Sequence, residues 1–378
     1  MHGNRLIRVL HILASLQKGG VETWLLNVLQ HIDRERFEFT FGLTTENEGA
    51  YGPLARELGA RFTACPIRKP GFSKEFRQLL RQERFDIVHS HIYLASGLVL
   101  RVAKNANVPV RIAHGHTTSD GHEFSIQRWL YRKLMRGLID RYATLGLGGS
   151  IAIMPGLFGK NWEKKDNREV LYYGINLDVF DREFNREHIR KQFSIPVNAR
   201  VVGHVGGFRP AKNHTFLLEV AKQVFKMTDD VYFVLRGEGS LKNYIEEKIH
   251  KLGIGSRIIM SAPVDSIADL MVGGMDMFIL PSIWEGLPLV LMEAQAAGLQ
   301  ILASEAVTRE ISVVDGAVRF EPLEAGAEKW AHAILELLDK ERLNQKESLA
   351  KVKSSPFSIN NSTNALAKIY SVSLQGSI

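Results

Sequence analysis

The chain has 378 residues, 45% of them hydrophobic and 24% charged, a length that suits about two domains and a balance that excludes disordered and fibrous classes. Its single cysteine, Cys65, excludes an internal disulfide and a cysteine-built zinc or iron–sulfur site, and fits a reducing cytoplasm. The formal charge of +7 is unevenly placed, with 25 basic against 16 acidic residues through Tyr172 and 23 against 25 beyond it.

From the N-terminus, MHGNRLIRVLHILASL carries basic residues and an apolar run. The run is short, lacks a small-residue cleavage signature and flows into GGVE and a helical pattern, so it reads as a first buried strand rather than a signal peptide. No uninterrupted apolar stretch reaches the roughly 18 residues of a membrane span. A helix over VETWLLNVLQHI follows, then strands at FEFTFGLT, DIVHSHIYL, PVRIAHGHT and RYATLGLGG. This alternation predicts a parallel sheet with crossover helices. The basic excess collects in two clusters: Arg68, Lys69, Lys74, Arg77, Arg81 and Arg84, then Arg128, Arg132, Lys133, Arg136 and Arg141 interleaved with Trp129, Tyr131 and Leu134. Such faces suit anionic lipid headgroups, nucleic acid or a phosphorylated acceptor, and equally a solvated helix face whose aromatics pack inward. No nucleic-acid recognition module accompanies them, so a nucleic-acid partner is not expected.

After the polar passage GKNWEKKDNREVLYYGINLDVF the rhythm restarts with RVVGHVGGF, a helix over HTFLLEVAKQVFK, and strands at VYFVLRGEG, RIIMSAPV, MDMFILPSI, LQILASEAV and AVRFEP. The predicted class is α/β with two Rossmann-like domains, residues 1–172 and 173–355. Residues 356–378, with the apolar periodicity of NSTNALAKIYSVSL, form a closing helix. Ligands of such sheets bind beyond the carboxyl ends of the strands, so the loops there hold the candidate residues.

The stretch from Trp284 to Gly298 is the most informative of these loops. A buried strand ends at Pro281 and Ser282, Glu285-Gly286-Leu287-Pro288 turns, and a helix opens near Pro288 and stops at Gly298. The N–H groups of Leu289 and Val290 then favour an anion. Glu285 on the loop and Glu293 about one and a half turns into the helix are near neighbours able to hold two ends of one ligand.

EGLPLVLMEAQAAG resembles the glutamate–seven residues–glutamate motif of family-four glycosyltransferases. Matching segments follow in order: KGGVE (Lys18 to Glu22), VHSHIYLASG (Val88 to Gly97), HGHTTS (His114 to Ser119), YGINLDVF (Tyr173 to Phe180), KNH (Lys212 to His214) and RGEGSL (Arg236 to Leu241). The resemblance spans nearly the whole chain and is nearest to transferases of bacterial exopolysaccharide or capsule assembly. It implies a GT-B fold, two Rossmann-like domains facing across a cleft, with the C-terminal helix packing back toward the N-terminal domain. The N-terminal domain binds the acceptor and the C-terminal domain the nucleotide sugar. The implied activity is retaining, metal-independent hexosyl transfer in polysaccharide biosynthesis, with a nucleotide sugar (a UDP-sugar) as substrate and no cofactor. The acceptor is a glycan or polyprenyl-linked, and a cytoplasmic enzyme touching the anionic inner face of the cell membrane is expected. By the same resemblance Glu293 binds the ribose, Glu285 the sugar or the charge that develops on it, and the backbone of Gly286, Leu287, Pro288 and Leu289 the pyrophosphate. Lys212 is the cation on the departing phosphate, Gly19 and Gly20 bring backbone amides near the donor phosphate, His116 lines the donor sugar, and Glu238 shapes the base side.

Two points depart from this scheme. His89, His91, His114 and His116 raise a zinc site, disfavoured because two are far in sequence from the other two and the resembling family needs no metal. GGFRPAKN has Gly207 where the family usually has arginine, so Arg209 two residues on, Lys212 alone, or weakened catalysis are the alternatives. A degenerate, binding-only transferase is one rival; a nicotinamide-dependent Rossmann oxidoreductase is another, disfavoured because no G-x-G-x-x-G follows the first strand.

Overall fold

The computed structural model describes residues 5–118, 123, 125–261 and 266–376. Ser119 of HGHTTS, part of RIIMSAPV and the first four residues of the opening stretch lie outside the described residues. The chain divides into two compact units, Met1–Gly174 with Ile359–Ile378, and Ile175–Ser358.

The first unit is built on a seven-stranded parallel sheet of order β3-β2-β1-β4-β5-β6-β7. Its strands are β1 Ile7–Leu13, β2 Phe37–Leu43, β3 Arg61–Ala64, β4 Ile87–Ser90, β5 Val110–Gly115, β6 Leu145–Gly148 and β7 Arg168–Val170. Helices cover both faces, so the central strands are buried on both sides and read as near-continuous apolar runs. That is why IRVLHIL offers no alternation. His11, inside that run, is fully buried and pairs in register with His89 of β4. The chain winds outward from β1 to β3, then returns to β4 on the other side of β1, which places a topological switch at the carboxyl ends of β1 and β4.

The helix Ile359–Gln375 packs on the helix Gly20–His31 of this same unit, as the resemblance implied. Its polar contacts are specific: the Trp24 indole N–H donates to Ser362 Oγ at 2.9 Å, and the Tyr370 hydroxyl lies 2.8 Å from His89 Nδ1. Trp24 and Tyr370 are fully buried, and their polar tips need these partners.

The second unit has a six-stranded parallel sheet of order β10-β9-β8-β11-β12-β13. The strands are β8 Arg200–Val205, β9 Val231–Arg236, β10 Ile258–Met260, β11 Met277–Leu280, β12 Gln300–Ser304 and β13 Val318–Glu321. Here the switch falls between β8 and β11, so the loops carrying Gly206 to Lys212 and Pro281 to Leu289 meet at one sheet edge. A backbone bond from Ile283 N–H to the Ala211 carbonyl, 2.8 Å, ties the two loops together. Among the described residues no helix is long and apolar enough to cross a membrane.

Candidate active site

In the second unit, two residues 73 positions apart in sequence form an ion pair, Lys212 Nζ to Glu285 Oε1 at 2.6 Å. The Ser282 hydroxyl donates to the same oxygen at 2.6 Å, and its backbone carbonyl accepts from Ser304 Oγ, also at 2.6 Å. Both charged side chains are mostly buried, where a fixed charge acts with less screening than at the surface. Gly206 makes room for the lysine: a Cβ there would lie 3.3 Å from Lys212 Cε. The buried histidines His204 and His214 stack edge-on at 4.8 Å nearby and stay neutral, His214 being lowered to about 4 by desolvation and by Lys212.

The helix begins at Val290, two residues later than Pro288 implies, and ends at Ala296. Its first bond, Leu291 N–H to the Pro288 carbonyl at 3.0 Å, leaves the Leu289 and Val290 N–H groups ahead of the ladder. Glu293 sits one turn in, and burial pushes its carboxyl up to about 7. Among the described residues its carboxylate has no ion-pair partner, so ionising it in place is costly unless a ligand hydroxyl donates to it.

Gly207 adopts ordinary backbone geometry, and the Arg209 side chain folds back against it, Nε lying 3.4 Å from where a Cβ would stand. The Phe208 N–H donates to the Glu238 carbonyl at 3.0 Å, which holds the RGEG loop against this turn. Gly237 is required there, since a Cβ would stand 2.0 Å from the Gly206 carbonyl oxygen. The Glu238 carboxylate faces Lys242 at 3.7 Å and is half exposed.

In the first unit, Gly19 caps the helix Gly20–His31, and a Cβ on Gly20 would meet nothing within 4 Å, so crowding does not demand glycine there. A cavity of about 610 Å³ opens at the strand ends and is lined by Glu22, Thr44, Arg68, His91, Tyr93 and His116 among others. Burial raises the Glu22 carboxyl.

Below the cavity the imidazoles form two hydrogen-bonded rows. In one, the Tyr173 hydroxyl meets His116 Nδ1, His116 Nε2 lies 2.8 Å from His91 Nδ1, and His91 Nε2 lies 3.0 Å from His11 Nδ1. In the other, Tyr370 meets His89, whose Nε2 lies 3.1 Å from His114 Nδ1. Desolvation lowers all five histidines, His11 and His116 to about 3, so the rows are neutral at ordinary pH. The outer nitrogens, His11 Nε2 and His114 Nε2, have no partner among the described residues. A bare acceptor costs less than a bare donor, which favours protons on every Nδ1 of the His116 row, directed toward Tyr173. His116 therefore has both ring nitrogens engaged. The sequence distance that argued against a shared histidine site does not hold in space, because β1, β4 and β5 are neighbours. Two trios, His11/His89/His91 and His91/His114/His116, bring nitrogens within 4.8 Å of one another; the pairings above already engage each of these five rings with another of the five.

The comparisons agree with this architecture. A family described as glycosyl transferases group 1 matches residues 185–352, and a glycosyl transferase 4-like domain matches residues 19–145. The glycosyltransferase EpsF of Bacillus subtilis is 30% identical over 378 residues, with 97% of each chain covered. The chain belongs to the group 1 glycosyltransferases. A second relative of this transferase, the capsular polysaccharide biosynthesis glycosyltransferase CapH of Staphylococcus aureus, is 27% identical, covering 97% of this chain and 99% of that one. Among solved structures, Anabaena HepE in complex with UDP superposes with a TM-score of 0.78 at 19% identity, covering 97% of this chain and all of that one. The transferase thus has the GT-B fold, and CapH among its relatives is named for capsular polysaccharide biosynthesis.

Sequence reasoning placed Lys212, Glu285 and Glu293 in one region of the second unit, where they are found, and His116 and Gly19–Gly20 in the first. It gave no role to Ser282, Gly206, Glu22, Tyr173, Tyr370 or His11. Glu22 and Tyr173 lay in quoted segments, and Gly206 in GHVGG. His11 and Tyr370 carried no signal, each sitting inside an apolar pattern.

Proposed function

We propose that this transferase moves a hexosyl group, with retention and without a metal ion, from a UDP-sugar to a hydroxyl of a glycan or polyprenyl-linked acceptor in surface polysaccharide synthesis. The observation that carries this reading is the Lys212–Glu285 pair at the switch point, with Glu293 on the helix that follows the Glu285 loop. UDP as the donor base follows the nucleotide bound by HepE.

In this mechanism Glu293 accepts from the ribose hydroxyls. The N–H groups of Leu289 and Val290, with the turn Gly286 to Pro288, hold the pyrophosphate, and Arg209 folds toward the same phosphates from the Gly207 turn. The bond from the sugar's anomeric carbon to the phosphate oxygen breaks, its electron pair going to that oxygen. Lys212 stabilises the charge, and the effect is large because the charge is preorganised. Glu285 faces the sugar, where positive charge grows as the bond breaks. The acceptor hydroxyl attacks the same face, and its proton passes to the departing phosphate, so UDP and the glycoside leave and no protein base is consumed. His116, Gly19 and Gly20 keep the roles that the family resemblance gives them, and Glu238 shapes the base side. The basic first unit brings the enzyme to the anionic inner face of the membrane.

A panel of UDP-sugars incubated with a soluble acceptor tests the reading through UDP release, NMR of the new anomeric proton and a chelator control. The expected product keeps the donor's configuration at a rate that chelation leaves unchanged. Inversion, loss of activity on chelation, or full turnover by Lys212→Ala overturns it.

A further inference from the structure

The helix Ile126–Tyr142 joins β5 to β6 on the outside of the first unit, and it buries only Met135 and Ile139. Its opposite side carries large apolar residues at helical spacing: Ile126 is 73% exposed, Trp129 48%, Leu130 54% and Leu134 60%. Leaving four such side chains in water on one stripe is unusual in a chain that encloses Trp24, Trp330 and most of its other large apolar residues. Lys133 stands on the same stripe, its Nζ 5.2 Å from the Trp129 ring, and Arg141 continues it about two turns further along. Arg128, Arg132 and Arg136 flank it.

The neighbouring helices extend the charge. Phe72–Glu83 and Ser96–Asn105 pack in sequence beside this one, and the three together hold ten basic residues against three acidic ones. An apolar stripe with an interfacial tryptophan, set in a one-sign basic field, complements an anionic bilayer surface: the apolar side chains enter the acyl boundary while the cations meet the headgroups.

The stripe also has a definite place. A Cβ on Gly97 would meet the Met135 carbonyl at 2.8 Å, and the Gly156 carbonyl accepts from both Arg136 and Tyr93 at 2.7 Å. Tyr93 lines the cavity that holds His91 and His116. The helix runs back from the carboxyl edge of the sheet, so the nine residues before Met135, about 13 Å of helix, lie on the cavity side of that contact. We infer that this exposed apolar and basic half of the helix docks on an anionic bilayer, which sets the first unit's cavity at the membrane surface. The inference rests on the proposed lipid-linked acceptor for its purpose but not for its test.

Full-length protein is sedimented with vesicles of phosphatidylcholine alone or mixed with phosphatidylglycerol, with neither donor nor acceptor present. Binding is expected with the anionic vesicles, falling as salt is added, and the double variant Trp129→Ser/Leu134→Ser should partition about tenfold more weakly or less. Both positions are exposed, so the variant's melting temperature and its UDP release with a soluble acceptor should match the parent. Lys133→Glu/Arg141→Glu repeats the test through charge alone if the serine variant fails to fold. Parent protein that stays in the supernatant with both vesicles overturns the inference, as do variants that bind like the parent, or a stripe that instead mediates dimerisation. Absence of UDP release with every donor would overturn the transferase mechanism and leave the vesicle result standing.

Discussion

In the first unit five imidazoles share one buried cluster and are held neutral by desolvation, whereas in the second a lysine and a glutamate form an ion pair and a separate carboxyl, Glu293, is raised by burial. The contrast follows from what each region offers its polar groups. The imidazoles have one another and two tyrosine hydroxyls, which engage every ring nitrogen but His11 Nε2 and His114 Nε2 without charge. Lys212 and Glu285 have each other, Nζ and Oε1 lying 2.6 Å apart, and that pairing offsets the cost of burying either one. A cation suits a departing phosphate, while neutral groups that both donate and accept suit hydroxyls. The two regions should therefore answer mutation and pH differently.

Lys212→Ala should have the largest effect. Removing the preorganised cation is expected to lower UDP release in the presence of acceptor by roughly a hundredfold to a thousandfold, with the circular dichroism spectrum unchanged. His116→Asn, altering a neutral group, should cost less. A reversal of that order in a side-by-side turnover measurement would break the contrast.

Glu293→Gln comes next and separates function from stability. The folded protein holds the Glu293 proton up to about pH 7, while an unfolded carboxyl releases it near 4.5. Its contribution to stability is therefore fully present below the unfolded value and is lost as pH rises through about 7. At pH 8 the glutamine variant should melt higher than the parent yet bind UDP about tenfold more weakly, as titrated by calorimetry. Parent affinity should fall as pH drops below about 7, because the protonated carboxyl accepts less well. A lower melting temperature for the variant would show that Glu293 has a stabilising partner in the folded state.

The first unit should respond to acid with the opposite sign. His11 binds a proton near pH 6.5 when unfolded and only near 3 when folded, so folding stability is held at neutral pH and lost as pH falls from about 6.5 toward 3. For His11 alone the loss at pH 5.5 is on the order of 1 kcal/mol. His11→Phe, packing among Phe39 and Phe41, should flatten the melting temperature against pH between 7 and 5, even if it costs stability at pH 8. An unchanged slope would place the histidine cluster in contact with water.

The same contrast decides what the sequence could disclose. The second unit's residues follow strand ends within short, distinctive spacings, so Glu285 and Glu293 declare both their loop and their helix, and the strand–turn context of Lys212 does likewise. The fold class and the two sheets were legible from the alternation of apolar runs, because strands buried on both faces leave that trace. The histidine cluster was not. Its members come from β1, β4 and β5 and from two tyrosines separated by nearly two hundred residues, and only the strand order places them together. His11 was hidden further because a buried parallel strand makes no distinction between a core position and a polar one. The return of the final helix to the first unit was implied by resemblance, yet its chemical purpose, a hydroxyl for His89 and a serine for Trp24, needed side chains to be seen.

Gly207 and Arg209 offer the smallest effect and the finest test of how the charged region is organised. The Arg209 side chain already lies over Gly207, and a Cβ at 207 would sit 3.4 Å from Arg209 Nε and 3.5 Å from the Glu238 carbonyl oxygen, ordinary contacts that permit a longer side chain once Arg209 is shortened. Arg209→Ala is expected to lower turnover about tenfold or less, since a partly exposed cation acts more weakly than the buried Lys212. Gly207→Arg combined with Arg209→Ala moves the guanidinium two positions back along the turn and should recover most of that loss. The recovery should be larger at low ionic strength, where a solvent-facing charge is less screened. If Arg209→Ala alone is silent, the phosphate end depends on Lys212 and backbone N–H groups. If the double variant recovers nothing, Arg209 acts through its packing on the turn rather than through its charge.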